Sequence, residues 1–187
     1  MTIMVQRSLL RICIILALYI KISRSACLFQ GNKVNYHIMN FLWKMGGYFP
    51  QQCLRETTDF RFPMEITKVT QKNIIRITYE FLQQIFQLFS KNVPVDVWNT
   101  SKIENFQNGI HHQIEELETC LSEEQLKASS FQTWIQKSST YSIKNYFQRI
   151  TNFLRDKQYS HCSWEAVQME LRTSNIIFDS LWKKKTT

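Results

Sequence analysis

The strongest constraint on this chain lies in residues 139–182, where two helical patterns meet at Ser160, His161 and Cys162 with neither Pro nor Gly between them. Ahead of the junction, Ile143, Tyr146, Phe147, Ile150, Phe153 and Leu154 recur at three- and four-residue intervals, which gathers them on one side of a helix. Lys144, Arg149, Arg155 and Lys157 fall between them and face water. Beyond the junction, Trp164, Val167, Leu171 and Phe178 repeat the interval, and Glu165, Gln168, Glu170 and Arg172 form the polar side. Both helices are amphipathic, so both need apolar partners.

Those partners are legible upstream. Val34, Ile38, Phe41, Leu42 and Met45 predict a first helix from Lys33 to Met45, closed by Gly46-Gly47. Residues 48–70 contain Pro50, Cys53 and Pro63 and lack sustained periodicity, which predicts a long connection with one short helix near Met64 to Thr70. From Lys72 to Lys91 two adjacent apolar stripes make a helix apolar around most of its circumference, the mark of a central helix. Asn92 to Asp96, with Pro94, breaks it. Ser101 and Glu104 have capping-box spacing ahead of Phe106, Ile110, Ile114, Leu117 and Leu121, so a third long helix is expected from Ser101, with Gly109 a local weakness inside it. Ser122 to Lys137 is polar and Ser-rich and reads as the connection to the fourth helix, with a partial turn around Phe131, Trp134 and Ile135. The expected fold is all-α: a four-helix-bundle-type, disulfide-linked cytokine architecture of five helices, with a long first crossover and up-up-down-down connections.

The first 25 of the 187 residues read as a secretory signal peptide, leaving 26–187 as one helical domain. Arg7 and Arg11 precede the apolar run Ile12 to Ile20, which is too short to span a bilayer as a permanent helix, and Ser23 and Ser25 are small residues at cleavage spacing. No membrane insertion is expected once this leader is removed. The leader carries four basic residues, Arg7, Arg11, Lys21 and Arg24, and no acid, so its loss lowers the formal charge from +8 to +4. That modest charge, together with aromatics at core spacing, argues against nucleic-acid binding. Lys183-Lys184-Lys185 offers a weak contact for glycans or an acidic surface, with a solvated helix end as the favoured reading. Loss of Cys13 with the leader leaves Cys27, Cys53, Cys120 and Cys162, an even number that points to two disulfides, with three pairings open.

Tyr146-Phe147-Gln148-Arg149-Ile150-Thr151, followed by Tyr159-Ser160-His161-Cys162-Ser163-Trp164-Glu165, resembles the last two helices of type I interferons. Cys53-Leu54-Arg55-Glu56 and Asp59-Phe60-Arg61-Phe62-Pro63 are similar to that family's first long loop, and Leu82 through Phe89 to its second helix. The resemblance implies bridges joining Cys27 to Cys120 and Cys53 to Cys162. It also implies a secreted cytokine that brings together two type I interferon receptor chains and so triggers JAK-STAT antiviral signalling. For the high-affinity chain, Leu54 and Asp59 keep the family's residue types, while Met169 and Arg172 are placed on the outer face of the last helix. Thr57, Gln168 and Thr173 stand where many members have Arg. For the low-affinity chain the carried-over positions are Phe86 and Lys144. Asn99-Thr100-Ser101 is an N-glycosylation sequon at a helix entrance, matching one found in some family members.

The remaining chemistry points away from an enzyme. His111 and His112 sit four residues before Glu115 and Glu116, but no third ligand is evident and the HExxH order is absent, so they read as a solvated polar face. His161 beside Cys162 would suit a thiol nucleophile only if that cysteine stayed reduced. No cofactor or metal is implied. The rival readings are a secreted cationic helical protein acting on membranes or glycans, and another helical cytokine with a different receptor.

Overall fold

The computed structural model describes residues 10–18, 38, 40–44, 48–91, 93–95, 98–124 and 130–186. The described part of the first predicted helix, α1, is residue 38 with residues 40–44. Its start at Lys33 and its Gly46-Gly47 end lie outside the described residues, as do Cys27 and the cleavage region at Ser23 and Ser25. Then come two short 3-10 helices, Gln51–Glu56 and Met64–Lys68, and four long α-helices: α2 (Gln71–Phe89), α3 (Thr100–Glu124), α4 (Ser130–Asp156) and α5 (His161–Thr186). Among the described residues there are no strands.

Helix α2 is the hub. Ile74, Ile75, Ile77, Phe81, Leu82, Ile85, Leu88 and Phe89 are all buried, and the helix packs against α3, α4 and α5. Its one buried hydroxyl is satisfied twice: Thr78 donates to the Ile74 carbonyl (2.9 Å) and accepts from the Trp182 indole of α5 (3.0 Å). Burying that hydroxyl is tolerable only because it is paired. At its C-terminus the Gln107 amide of α3 donates to the Phe89 carbonyl at 2.6 Å, meeting an acceptor that the helix itself leaves open.

Aromatic side chains fill the core in two groups. At one end Phe89 meets Phe106 (4.8 Å between centroids) and Trp164 (5.5 Å), and Trp164 meets Trp98 edge-on at 5.7 Å. In the other, Phe81 lies against Phe178 (4.2 Å) and Phe147 (5.3 Å), and Phe62 of the first connection is edge-on to Tyr146 at 5.4 Å. These tilted and edge-to-face pairings suit the ring quadrupoles.

Two local readings of the sequence are corrected and one is extended. Helix α3 is capped by Asn99, whose Oδ1 accepts from the Ser101 N–H at 2.9 Å, so the cap lies two residues ahead of the Ser101 and Glu104 pair. Gly109 does more than weaken the helix: a Cβ there would stand 3.1 Å from the Phe41 ring, so glycine lets α1 approach α3 closely. Helix α4 begins at Ser130, so most of the stretch read as a connection after Ser122 is helical, and α3 itself runs to Glu124. At the α4 to α5 junction Gln158 and Tyr159 take φ of 52° and 54°. Two successive non-glycine residues in left-handed conformation turn the chain where neither Gly nor Pro is present. Ser160 then caps α5, its Oγ accepting from the Ser163 N–H at 3.3 Å.

Candidate recognition surfaces

The first connection is shaped by cross-links to α4 and α5. Cys53 is fully buried and joined to Cys162 at the start of α5, closing a loop with a sequence separation of 109. Glu56, at the end of the same short helix, pairs with Lys157, just past the end of α4, at 2.7 Å. Further on, Phe60 is buried edge-on against Phe153 at 5.1 Å. Arg149 of α4 donates from Nε to the Phe60 carbonyl and from an Nη to the Arg61 carbonyl, both at 2.9 Å.

Pinned in this way, the connection turns Leu54, Thr57 and Asp59 outward. Leu54 is 60% exposed. Thr57 and Asp59 are exposed but already engaged within the loop: Thr57 Oγ1 donates to the Leu54 carbonyl (2.8 Å), and Asp59 Oδ1 accepts from the Arg61 N–H (2.7 Å). Arg61 has a φ of 55°, so the Asp59 bond and the Arg149 bond bracket a left-handed residue.

On α5, Met169 and Thr173 are exposed, and Ile176, one turn further along the same face, is 54% exposed. Gln168 and Arg172 differ. They are 1% and 5% exposed, and both donate to the Leu42 carbonyl of α1 at 2.8 Å. The outer-face placement of Arg172 is therefore corrected, and Gln168 is equally inaccessible to a partner. Burial pulls the Arg172 guanidinium below its usual pKa, with the Glu165 carboxylate acting against that shift. Arg172 also underlies the Trp43 ring, 4.3 Å from its centroid, and Trp43 is 51% exposed. Sequence reasoning missed Trp43 and Ile176; their signal is a large apolar residue at a helical position that the core does not cover.

Between the loop and α5, Glu170 accepts from the Tyr146 hydroxyl at 2.8 Å. Burial raises the Glu170 pKa and the nearby Asp59 charge adds to the rise, while the Tyr146 bond opposes it. Tyr146 is itself raised, by burial first and then by the Glu170 carboxylate.

The second pair of predicted positions is not gathered into one contact. Phe86 is half-buried, packed on the core and 5.7 Å from the His111 ring of α3. Lys144 is exposed on α4 and reaches the largely buried Glu80 of α2 at 3.6 Å, where Glu80 also accepts from Gln84 (3.0 Å). Phe86 thus leans from α2 toward α3, whereas Lys144 leans from α4 onto α2 itself.

The other candidates resolve simply. Asn99 is exposed and its Oδ1 serves the cap. His111 and His112 pair with Glu115 (3.6 Å) and Glu116 (3.3 Å) on the surface, and among the described residues no group of three or more potential metal ligands occurs. Cys162 is committed to its disulfide, so no thiol stands beside His161. Cys120 is also disulfide-bonded, and its expected partner Cys27 lies outside the described residues. Lys183 pairs with Asp179 at 2.6 Å, Lys184 is exposed, and the Lys185 side chain lies outside the described residues.

An all-helical bundle with a long disulfide-tethered first connection and exposed apolar side chains on its outer faces is the architecture of a helical cytokine. Residues 27–185 match the interferon alpha/beta domain. The chain is 31% identical to interferon beta of Tachyglossus aculeatus aculeatus over 153 residues, covering 80% of each chain. It is 35% identical to human interferon beta over 140 residues, covering 73% of each. Human interferon omega-1 matches at 33% over 146 residues, 76% of this chain and 74% of that one. Among solved structures, zebrafish interferon 2 superposes with a TM-score of 0.67 at 26% identity, covering 80% of this chain and 96% of that one. The chain belongs to the type I interferon family, and is thereby a cytokine rather than an enzyme.

Proposed function

We propose that the protein is a secreted type I interferon that binds two type I interferon receptor chains and brings them together, starting JAK-STAT antiviral signalling. The observation that carries this reading is the first connection: Leu54, Thr57 and Asp59 are exposed on a segment tethered to α5 by Cys53–Cys162, in a chain whose residues 27–185 match the interferon domain. Leu54, Thr57 and Asp59, with Met169 and Thr173 of α5, form the high-affinity face. Gln168 and Arg172 support that face from beneath, through the Leu42 carbonyl. Phe86 and Lys144 belong to the low-affinity face.

Residues 1–25 act as the secretory leader. Within them, residues 10–18 form a helix whose Leu10, Ile12, Ile14, Ile15, Leu16 and Leu18 are all exposed, as suits a segment with no place in the core. No helix among the described residues is long and apolar enough to cross a membrane. A glycan on Asn99 would attach through Nδ2, leaving Oδ1 free to cap α3. At the C-terminal lysines, Lys183 pairs with Asp179 and stays 69% exposed.

The test is a STAT-driven reporter in cells treated with the purified protein. Response in wild-type cells, and its loss when either receptor chain is deleted, is the expected result. A response that survives both deletions would refute the reading.

A further inference from the structure

The segment from Thr57 to Phe62 has no regular backbone hydrogen bonding of its own, yet it follows one defined path. Its local device is the Asp59 carboxylate on the Arg61 N–H, at 2.7 Å. The Cys53 bridge fixes the segment at one end, four residues before Thr57. Phe60, 3% exposed against Phe153, anchors it near the other. Immediately after the Phe60 anchor Arg61 holds a φ of 55°, a conformation that a non-glycine residue keeps only when its surroundings enforce it. The enforcing group in reach is Arg149, whose planar fork spans two successive carbonyls, those of Phe60 and Arg61, each at 2.9 Å. A lysine ammonium is a single point of charge on a flexible stem and cannot hold two carbonyls in that fixed relation.

We infer that Arg149 is a positioning residue for receptor recognition: from α4 it holds the Phe60 and Arg61 carbonyls, fixing the left-handed turn that presents Leu54, Thr57 and Asp59. This rests on reading the first connection as the high-affinity face. The energetic logic is preorganisation. A loop already in its bound shape loses less freedom on association, and a loop released from it must be ordered again each time a receptor binds. Arg149 is exposed on the outer side of α4, so its removal leaves the buried aromatic packing in place. It touches no residue assigned to the low-affinity face, which makes that face an internal control.

The experiment compares the wild-type protein with Arg149→Ala, Arg149→Lys and Leu54→Ala. It measures amide exchange at Arg61 and Phe62, dissociation from the high-affinity ectodomain, and binding to the low-affinity ectodomain. For Arg149→Ala, exchange rises about tenfold and dissociation quickens by a similar factor, the scale set by losing a charge-assisted hydrogen bond. Binding to the low-affinity ectodomain stays within about twofold, which also reports an intact fold. Arg149→Lys recovers only part of the loss, whereas a residue needed only for helix formation or solubility would be replaced fully by lysine. Unchanged exchange in Arg149→Ala would overturn the inference, as would raised exchange with unchanged dissociation while Leu54→Ala still quickens release. If Leu54→Ala has no effect, the reading of this loop as the receptor face fails instead, and the inferred recognition role falls with it.

Discussion

Helix α2 and the connection that precedes it, residues 48–70, are neighbours in the chain but are held by different forces. Helix α2 buries apolar side chains around most of its circumference against α3, α4 and α5. Its stability is diffuse, spread over many contacts of small individual value. The connection buries only Cys53, Phe60, Pro63, Ile66 and Val69, and is otherwise fixed by discrete cross-links: the Cys162 bridge, the Lys157 pair and the two Arg149 bonds. Diffuse apolar packing gives a rigid body that tolerates little change anywhere. Discrete cross-links instead leave most positions of a loop free to face a partner while its path stays fixed, which suits a recognition surface.

The contrast breaks down first, if it breaks at all, at Trp164. This side chain is fully buried between Phe89 and Trp98. Trp164→Ala is expected to cost about 3–5 kcal/mol, the range for deleting a large core aromatic. Thermal unfolding followed by circular dichroism would show it as a fall in Tm that affects binding to both receptor chains alike. A shift in Tm no larger than that of a surface variant would mean that packing at this end of the bundle is loose.

Next in size is the bridge. Cys53→Ser with Cys162→Ser should cost about 2–4 kcal/mol, because a long loop in the unfolded chain is no longer closed. Unlike Trp164→Ala, it should weaken the high-affinity face more than the low-affinity one. Chemical denaturation alongside binding to each ectodomain separates the two effects; equal losses on both faces would remove the distinction between connection and bundle.

A smaller loss is expected at Arg172, which looked like a contact residue and is instead a buried brace between α5 and α1. Arg172→Ala should cost about 2 kcal/mol, since a charged donor to the Leu42 carbonyl is lost while Gln168 still serves that oxygen. Its signature is a lowered midpoint in urea. A receptor-binding defect with unchanged stability would return Arg172 to the outer face.

The smallest effect concerns pH. Because the Glu170 pKa is raised in the folded protein, the folded state binds a proton more readily than the unfolded chain between the ordinary carboxylate range and the raised value. Its contribution to stability is therefore full below the ordinary range and is lost as pH rises through the raised value. Glu170→Gln keeps an acceptor for the Tyr146 hydroxyl and cannot ionise, so the slope of stability against pH should flatten in that window. An unchanged slope would mean that Glu170 is better solvated than its position between Tyr146 and Asp59 implies.

The same contrast explains what the sequence could reveal. Helix α2 was legible because its two apolar stripes are a local, periodic signal, and the disulfide to Cys162 was legible once the resemblance selected one pairing. Two boundaries were hidden by local composition. Ser101 and Glu104 mimic a capping box two residues late, and the Ser- and Thr-rich stretch after Ser130 masks the first turns of α4. Gln168 and Arg172 were misread for a different reason. Their partner, the Leu42 carbonyl, lies 126 and 130 residues away, and no pattern within α5 distinguishes a polar side chain that faces water from one that meets a buried carbonyl. The path of the first connection was illegible on the same grounds, since Arg149 reaches it from 88 and 89 residues away.

The most direct test of two separate faces on one rigid bundle is surface plasmon resonance of the wild-type protein, Leu54→Ala and Phe86→Ala on each of the two immobilised receptor ectodomains. Leu54→Ala should speed release from the high-affinity chain by about tenfold or more, the effect of truncating an exposed apolar anchor, and leave the other chain within about twofold. Phe86→Ala should do the reverse. A Phe86→Ala variant that loses both interactions together with its Tm, or a Leu54→Ala variant that releases both chains equally, would contradict the account.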